Sequence, residues 1–239
     1  MLRNVLGPLC GLVSLLLCAT AVRAETIPLA LPPDHKTVIA TPSGEASAQT
    51  LAAVARELAR RYPGPEDAHV IVVDVRQQRL YLLDHGHVQL TYRVSTSQWG
   101  IGNREGSNRT PVGVFRIAQK FGEGAPAGTI FKSRRDTGKL ARIITNPENR
   151  SERDLVTSRV MWLTGLQPGF NEGGDVDTHS RYIYIHGTPE EGRIGIPSSH
   201  GCVRMMNKDV IELFSQVPVG TLVYIAPGNR PLTDIPNHF

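Results

Sequence analysis

Residues 182–204 read Tyr-Ile-Tyr-Ile-His-Gly-Thr-Pro-Glu-Glu-Gly-Arg-Ile-Gly-Ile-Pro-Ser-Ser-His-Gly-Cys-Val-Arg. The first five residues are β-branched or aromatic apart from the histidine, and Gly187 and Pro189 close the run, so a strand is expected over Tyr182–His186. That strand delivers His186 at its end. A loop follows, and the chain comes back to Ser199-His200-Gly201-Cys202. A thiol attacks acyl carbon as the thiolate, and a free pKa of about 8.5 leaves little thiolate at neutral pH. A neighbouring imidazole takes the proton and carries the resulting charge. His186 and Cys202 lie 16 positions apart, a distance that a loop folds back to hydrogen-bond reach. Gly201 permits a sharp bend beside the sulfur. Backbone N–H groups at Gly201 or Cys202 are then expected to face a tetrahedral oxyanion. Such an assembly suits acyl transfer. The donors His179, His186, His200 and Cys202 also suit zinc, but no Cys-x-x-Cys or His-x-x-x-His spacing supports a site, so neither metal nor other cofactor is expected. His200 is a second candidate base. Only two residues from Cys202, it is better placed to order the loop or touch substrate.

Outward from this segment, short strands dominate. His69–Asp74, Arg79–Leu83, Val88–Ser95, Val112–Ala118 and Thr221–Ala226 are apolar or alternating runs, and Asp84-His85-Gly86-His87 makes a turn. Asn207–Val217 has the pattern of a helix, with Asn207 as its expected N-cap and Pro218 beyond its end. Glu45–Tyr62 places Leu51, Val54, Ala55, Leu58 and Ala59 at helical spacing before Pro63-Gly64-Pro65, which predicts a short amphipathic helix packed on the main domain. Between Lys120 and Arg159 the pattern dissolves. Gly122, Gly124, Gly128 and Gly138 punctuate that insert, and Lys132, Arg134, Arg135, Lys139 and Arg142 cluster in it. It reads as a lid or binding loop, with a solvated basic loop as the alternative.

The whole chain has 239 residues and a net charge of +4, with 40% hydrophobic and 20% charged residues. That balance belongs to a globular domain, and the small basic excess does not point to a nucleic-acid partner. At the N-terminus, Arg3 precedes an apolar run from Val5 to Ala19 and then Ala21-Val22-Arg23-Ala24. This is the pattern of a secretory signal peptide cut after Ala24. The run is short for a membrane anchor, which needs about 20 apolar residues. Cys18 follows Leu17 rather than the small residue of a lipoprotein signal. Cleavage removes Cys10 and Cys18 and leaves Cys202 as the sole thiol, which an internal disulfide cannot use. Glu25–Gly44 holds Pro28, Pro32, Pro33 and Pro42 without an apolar face and reads as a tether.

Together, His186-Gly187-Thr188 and Ser199-His200-Gly201-Cys202-Val203-Arg204 resemble the signature of the L,D-transpeptidases with a YkuD-type catalytic domain. Thr110-Pro111-Val112-Gly113-Val114-Phe115 is similar to that family's Thr-Pro-x-Gly-x-Phe strand entry, and Val217-Pro218-Val219-Gly220-Thr221 to its closing turn and strand. The resemblance spans His69 to Pro227. It implies a mainly-β fold, a YkuD-like β-sandwich or barrel with one or two helices and a loop lid. The domain plan expected is a signal peptide at 1–24, a tether and short helix at 25–66, the catalytic domain at 67–228 and a C-terminal tail at 229–239.

The resemblance further implies an exported, periplasmic enzyme acting on peptidoglycan. By that resemblance Cys202 takes the acyl group of a stem tetrapeptide at the L-centre of its third residue, releasing D-Ala, and an amine acceptor resolves the thioester. His186 is then general base and acid, and Gly187 orients the imidazole through its backbone carbonyl. Ser199, His200 and Gly201 are expected to support the loop and the oxyanion. The family often has Asn where Arg204 stands, though Arg is also common there. Arg204 is expected either to bind a substrate carboxylate or to brace the loop through backbone carbonyls. The expected partners are stem peptides and, as one acceptor, an envelope lipoprotein, with no nucleic acid and no membrane span after signal cleavage. An L,D-carboxypeptidase, in which water resolves the thioester, is the same-chemistry alternative. A non-catalytic wall-binding module is the other, and the intact His186 and Cys202 set argues against it.

Overall fold

The computed structural model describes residues 46–64 and 68–236. The stretch expected as a signal peptide, and the expected tether up to residue 45, lie outside the described residues. Helix α1 runs Ala48–Arg61, opened by the Ser47 hydroxyl accepting from Thr50 N. Ten strands follow: β1 His69–Asp74, β2 Arg79–Asp84, β3 His87–Arg93, β4 Gly113–Phe121, β5 Thr129–Lys132, β6 Arg135–Leu140, β7 Val156–Gly165, β8 Tyr184–Gly187, β9 Val203–Met205 and β10 Leu222–Ala226. Helix α2, Asn207–Gln216, lies between the last two.

All ten strands join one mixed sheet in the order β3-β2-β1-β10-β4-β7-β5-β6, with β8 paired to β7 and β9 to β8. The pairs β1–β10 and β8–β9 are parallel. The sheet has apolar clusters on both faces. Leu80, Leu82, Phe115, Ile117, Met161, Leu163, Ile185, Val203 and Met205 share one cluster with Val210, Leu213 and Phe214 of α2. On the opposite face, Leu51, Val54 and Leu58 of α1 meet Val70, Val72, Tyr81, Leu83 and Tyr224. Burying such a side chain contributes about 1.5–3 kcal/mol, so the α1 stripe is held by packing rather than by helix propensity. The segment expected as a tail also joins this face. Ile235 is buried there, its carbonyl accepts from Arg61 Nη1, and the Pro236 carbonyl accepts from Gln167 Nε2.

Two local expectations are corrected. The 120–159 insert is not patternless, because β4 extends to Phe121, β5 and β6 form a hairpin, and β7 begins at Val156. Strand β6 is exposed along its whole length and so carries no alternation, while Thr157, Ser158 and Arg159 of β7 are buried polar residues that hide a strand. Asn207 does not cap α2, since Met206 occupies that position. Its side chain is a buried hub instead. Oδ1 accepts from the Thr157 and Ser158 hydroxyls, and Nδ2 donates to Thr188 O and Glu191 Oε1. Glu191 Oε1 also accepts from Asn207 N, so a carboxylate supplied from the loop after β8 serves the start of α2.

Candidate active site

Strands β8 and β9 carry the site. Their parallel register sets Ile185 beside Val203, His186 beside Arg204 and Gly187 beside Met205. Side chains alternate along a strand. Ile183, Ile185, Val203 and Met205 enter the core around α2, so Tyr184, His186, Cys202 and Arg204 share the other face. Cys202 is half-buried there, beside Phe131, Val160, Trp162 and Tyr184. Its sulfur accepts from Tyr184 N at 3.3 Å, and its S–H donates to Tyr182 O at 3.5 Å.

His186 is buried, with Nδ1 2.7 Å from Gly187 O. A carbonyl oxygen only accepts, so Nδ1 carries the proton and Nε2 keeps its lone pair. Glycine is required at 187 because a Cβ would come within 2.7 Å of both Asn207 Oδ1 and Thr157 O. The hydrogen bonds of the sulfur and of the imidazole run to backbone atoms rather than to each other.

Both groups rest uncharged. Burial lowers His186 to about 4, opposed by Asp154 and by the bond to Gly187 O and assisted by Arg204. Cys202 keeps some contact with solvent, but the packing around it disfavours the thiolate and pushes the thiol up to about 12. The Tyr184 N–H, Arg204 and Arg181 oppose that rise, and Asp154 adds to it. Arg181 was not foreseen from the sequence. Its guanidinium is pinned by the carbonyls of Gly102, Asn103 and Arg109, so a fixed positive charge stands near the thiol.

The turn before Cys202 is held by Ser199. Its hydroxyl donates to Cys202 O at 2.6 Å and accepts from Gly201 N at 3.2 Å. Gly201 sits at φ +126°, a conformation that disfavours any side chain. The Gly201 N–H is thereby taken and is not free for an oxyanion, which leaves the Cys202 N–H.

Arg204 is buried between two of the chain's own carboxylates, Glu190 Oε2 at 2.8 Å and Asp154 Oδ1 at 2.6 Å. Asp154 Oδ2 also holds His200 Nδ1 at 2.7 Å, and the His200 ring lies 4.8 Å from that of Trp99. Glu190, Arg204, Asp154 and His200 thus form a connected chain of polar side chains. The brace foreseen for Arg204 runs to carboxylates rather than to backbone carbonyls, with both terminal amino groups engaged and the side chain buried. Nothing in the sequence marked Asp154, which lies in the weakly patterned insert. Tyr184 was legible, being two residues before His186 on the same strand face.

Among the described residues no group of three His, Cys, Asp or Glu side chains is arranged to hold a metal ion. His179 stacks on Trp162 at 3.8 Å, and His200 bonds to Asp154. A cleft of about 500 Å³ lies alongside, lined by Phe121 to Pro126, Phe131, Arg134 and Asp136. Phe121, Ala125 and Phe131 belong to the same apolar cluster as Cys202, so the cleft and the thiol share one apolar wall.

A family model of the L,D-transpeptidase catalytic domain matches residues 68–225. The chain is 43% identical over 173 residues to the putative L,D-transpeptidase YqjB of Bacillus subtilis, covering 72% of this chain and 79% of that protein. It is 29% identical over 167 residues to the probable L,D-transpeptidase ErfK/SrfK of Salmonella typhimurium, covering 68% of this chain and 45% of the relative. Among solved structures, L,D-transpeptidase 3 from Mycobacterium tuberculosis aligns with a TM-score of 0.43 at 16% identity, over 66% of this chain and 61% of that one. The chain therefore spans most of YqjB but under half of ErfK/SrfK.

Proposed function

Because the chain belongs to the L,D-transpeptidase family and is by that membership a transpeptidase enzyme, we propose that Cys202 is its nucleophile, His186 its base and acid, and a peptidoglycan stem tetrapeptide its donor. The observation that carries this reading is the bond from His186 Nδ1 to Gly187 O, which fixes Nε2 as the free lone pair on the face shared with Cys202. On donor binding, Nε2 takes the thiol proton as sulfur adds to the L-centre carbonyl of residue three. The oxyanion faces the Cys202 N–H. Collapse breaks the amide bond, and the imidazolium protonates the departing D-Ala amine. An amine acceptor then adds to the thioester, gives its proton to Nε2, and the expelled sulfur recovers it. Proton and leaving group balance without a cofactor. Arg181 and the Tyr184 N–H stabilise the thiolate while it exists.

The proposed setting is outside the cytoplasmic membrane, in the periplasm, after removal of residues 1–24. No helix among the described residues is long and apolar enough to cross a membrane. Acceptors within this reading are a second stem peptide, a free D-amino acid or an envelope lipoprotein. The test is to incubate the protein lacking residues 1–24 with a tetrapeptide donor. An intact mass raised by the acyl tripeptide and mapped to Cys202 supports the reading. An unmodified Cys202 that accompanies turnover refutes it.

The pH dependence follows from His186. Its pKa is lowered to about 4 from an ordinary 6.5, so the imidazole stays neutral until the pH falls toward 4. Acylation should persist at pH 5, where an ordinary histidine would be mostly protonated. A rate falling tenfold between pH 7 and pH 5.5 would contradict this. The same group makes stability pH-dependent. The unfolded chain binds a proton there below about 6.5 and the folded chain does not, so the stability present above that pH is lost as pH falls toward 4.

The hairpin bears on the fate of the thioester. Phe131 of β5 packs beside Cys202, and excluding water from a thioester favours an amine over hydrolysis. Excising Ile130–Lys139 should raise the ratio of hydrolysis to transfer at saturating donor while Cys202 still acylates. Product analysis with and without an amine acceptor reads that ratio. An unchanged ratio would reduce the hairpin to a solvated basic loop.

A further inference from the structure

The β5–β6 turn is built from Ser133 and Arg134, both in the left-handed region at φ 49° and 66°. This unusual pair folds Arg134 back over the site. Its guanidinium carbon lies 4.3 Å from the centre of the Trp162 ring and 5.3 Å from that of Tyr182. One amino group, Nη1, donates to Tyr184 Oη at 3.1 Å. Tyr184 is the residue whose backbone N–H holds the Cys202 sulfur.

Stacking uses the flat face of a guanidinium, while its five N–H donors point outward in the plane. Here Trp162 and Tyr182 lie against the guanidinium, and one donation to the Tyr184 hydroxyl anchors Nη1. The remaining edge is not taken by an ion pair. Among the described residues no carboxylate comes within ion-pair distance of Arg134, although Asp136 lines the same cleft. The contrast with Arg204, enclosed by Asp154 and Glu190, is direct. Arg134 is also half-buried, which strengthens any charged hydrogen bond that it makes.

We propose that Arg134 is a specificity-determining residue that binds a carboxylate of the peptide donor, held at the junction of the Cys202 wall and the cleft lined by Phe121, Ala125 and Phe131. The inference rests on the donor reading above. A stem tetrapeptide ending in D-Ala, with a diamino diacid at position three, offers two such groups: the terminal carboxylate and the side-chain carboxylate of residue three. Either is planar and accepts two parallel N–H bonds from a guanidinium edge.

The test compares acylation of Cys202 by intact mass for the wild type, Arg134→Gln and Arg134→Lys. Three donors are used: the free tetrapeptide, the same peptide amidated on the residue-three side chain, and the same peptide with a C-terminal carboxamide. With the free donor, Arg134→Gln should lower kcat/KM about 10- to 100-fold, with Arg134→Lys between it and the wild type. One amidated donor should show the same loss with the wild type and no further loss with Arg134→Gln, and that donor identifies the carboxylate bound. The wild-type arm does not depend on how a variant folds. If the wild type acylates all three donors equally well, or Arg134→Gln slows all three by one common factor, the proposal is wrong. If no donor acylates the wild type at Cys202, the donor reading itself falls and takes this inference with it.

Discussion

Cys202→Ala is expected to abolish turnover and leave the fold in place. The loss of rate should be complete to the limit of detection, because the variant keeps the wall, the base and the N–H donors but has no atom that can form the thioester. The stability change should be small by comparison. The side chain is half-buried and makes two bonds to backbone, from Tyr184 N and to Tyr182 O. A neutral hydrogen bond contributes about 0.5–1.5 kcal/mol net, and weak sulfur bonds fall at the lower end. Denaturant unfolding should therefore move by no more than about 2 kcal/mol while the mass adduct disappears. Normal turnover by a folded variant would end the nucleophile assignment.

His186→Ala should slow acylation about 10²- to 10⁴-fold, the usual worth of a positioned general base, whereas His200→Ala should slow it less than tenfold. The asymmetry comes from placement. His186 is buried, neutral and oriented by Gly187 O, with its second nitrogen left for a proton. His200 is bonded to Asp154 and lies against Trp99 at the surface of the loop. Its removal loosens one anchor of Asp154 but leaves that carboxylate on Arg204. Stopped reactions followed by intact mass give both acylation rates. The opposite ranking would mean that the two roles have been exchanged here.

The segment 182–204 makes much of this site legible in the sequence, because a strand end, a close glycine and a lone thiol each leave a local signature. Strands β1, β2, β3, β4 and β10 were equally open to reading, since their apolar runs are bounded by turns. What escaped was long-range or polar. Strand β7 is central, yet Thr157, Ser158 and Arg159 at its start are buried, because Asn207 and the Ala125 carbonyl meet them from far along the chain. The exposed β6 has no buried face to pattern its sequence. Asp154 and Glu190 come from separate segments and meet only at Arg204. The choice between carbonyls and carboxylates for Arg204 was thus a tertiary question. Helical pattern alone put Asn207 at a cap because Asn suits that position, and tertiary contacts on both sides of its amide overrode that preference.

The parallel pairing of β8 with β9 has an outcome for tolerated change in chain length. His186 and Cys202 share a face because each stands one position from a core-facing residue: Tyr184 and His186 flank Ile185 in β8, and Cys202 and Arg204 flank Val203, the first residue of β9. The 188–201 connection has no such parity to keep. Its ends are secured by Glu190, Glu191 and Ser199, and the exposed residues between them touch no strand partner in the β8–β9 pair. Residues added beside the exposed Pro197 would lengthen a surface loop at a closure penalty that grows only slowly with length. By contrast Gly195, whose N–H donates to Val94 O, and Ile196, whose carbonyl accepts from the Ser95 hydroxyl, are tied to the chain after β3. One residue added within 184–187 or 203–205 would turn His186 or Arg204 into the apolar core and carry Ile185 or Val203 out of it. Length variation compatible with chemistry is therefore confined to the connection, and the two short strands that flank it are closed to insertion.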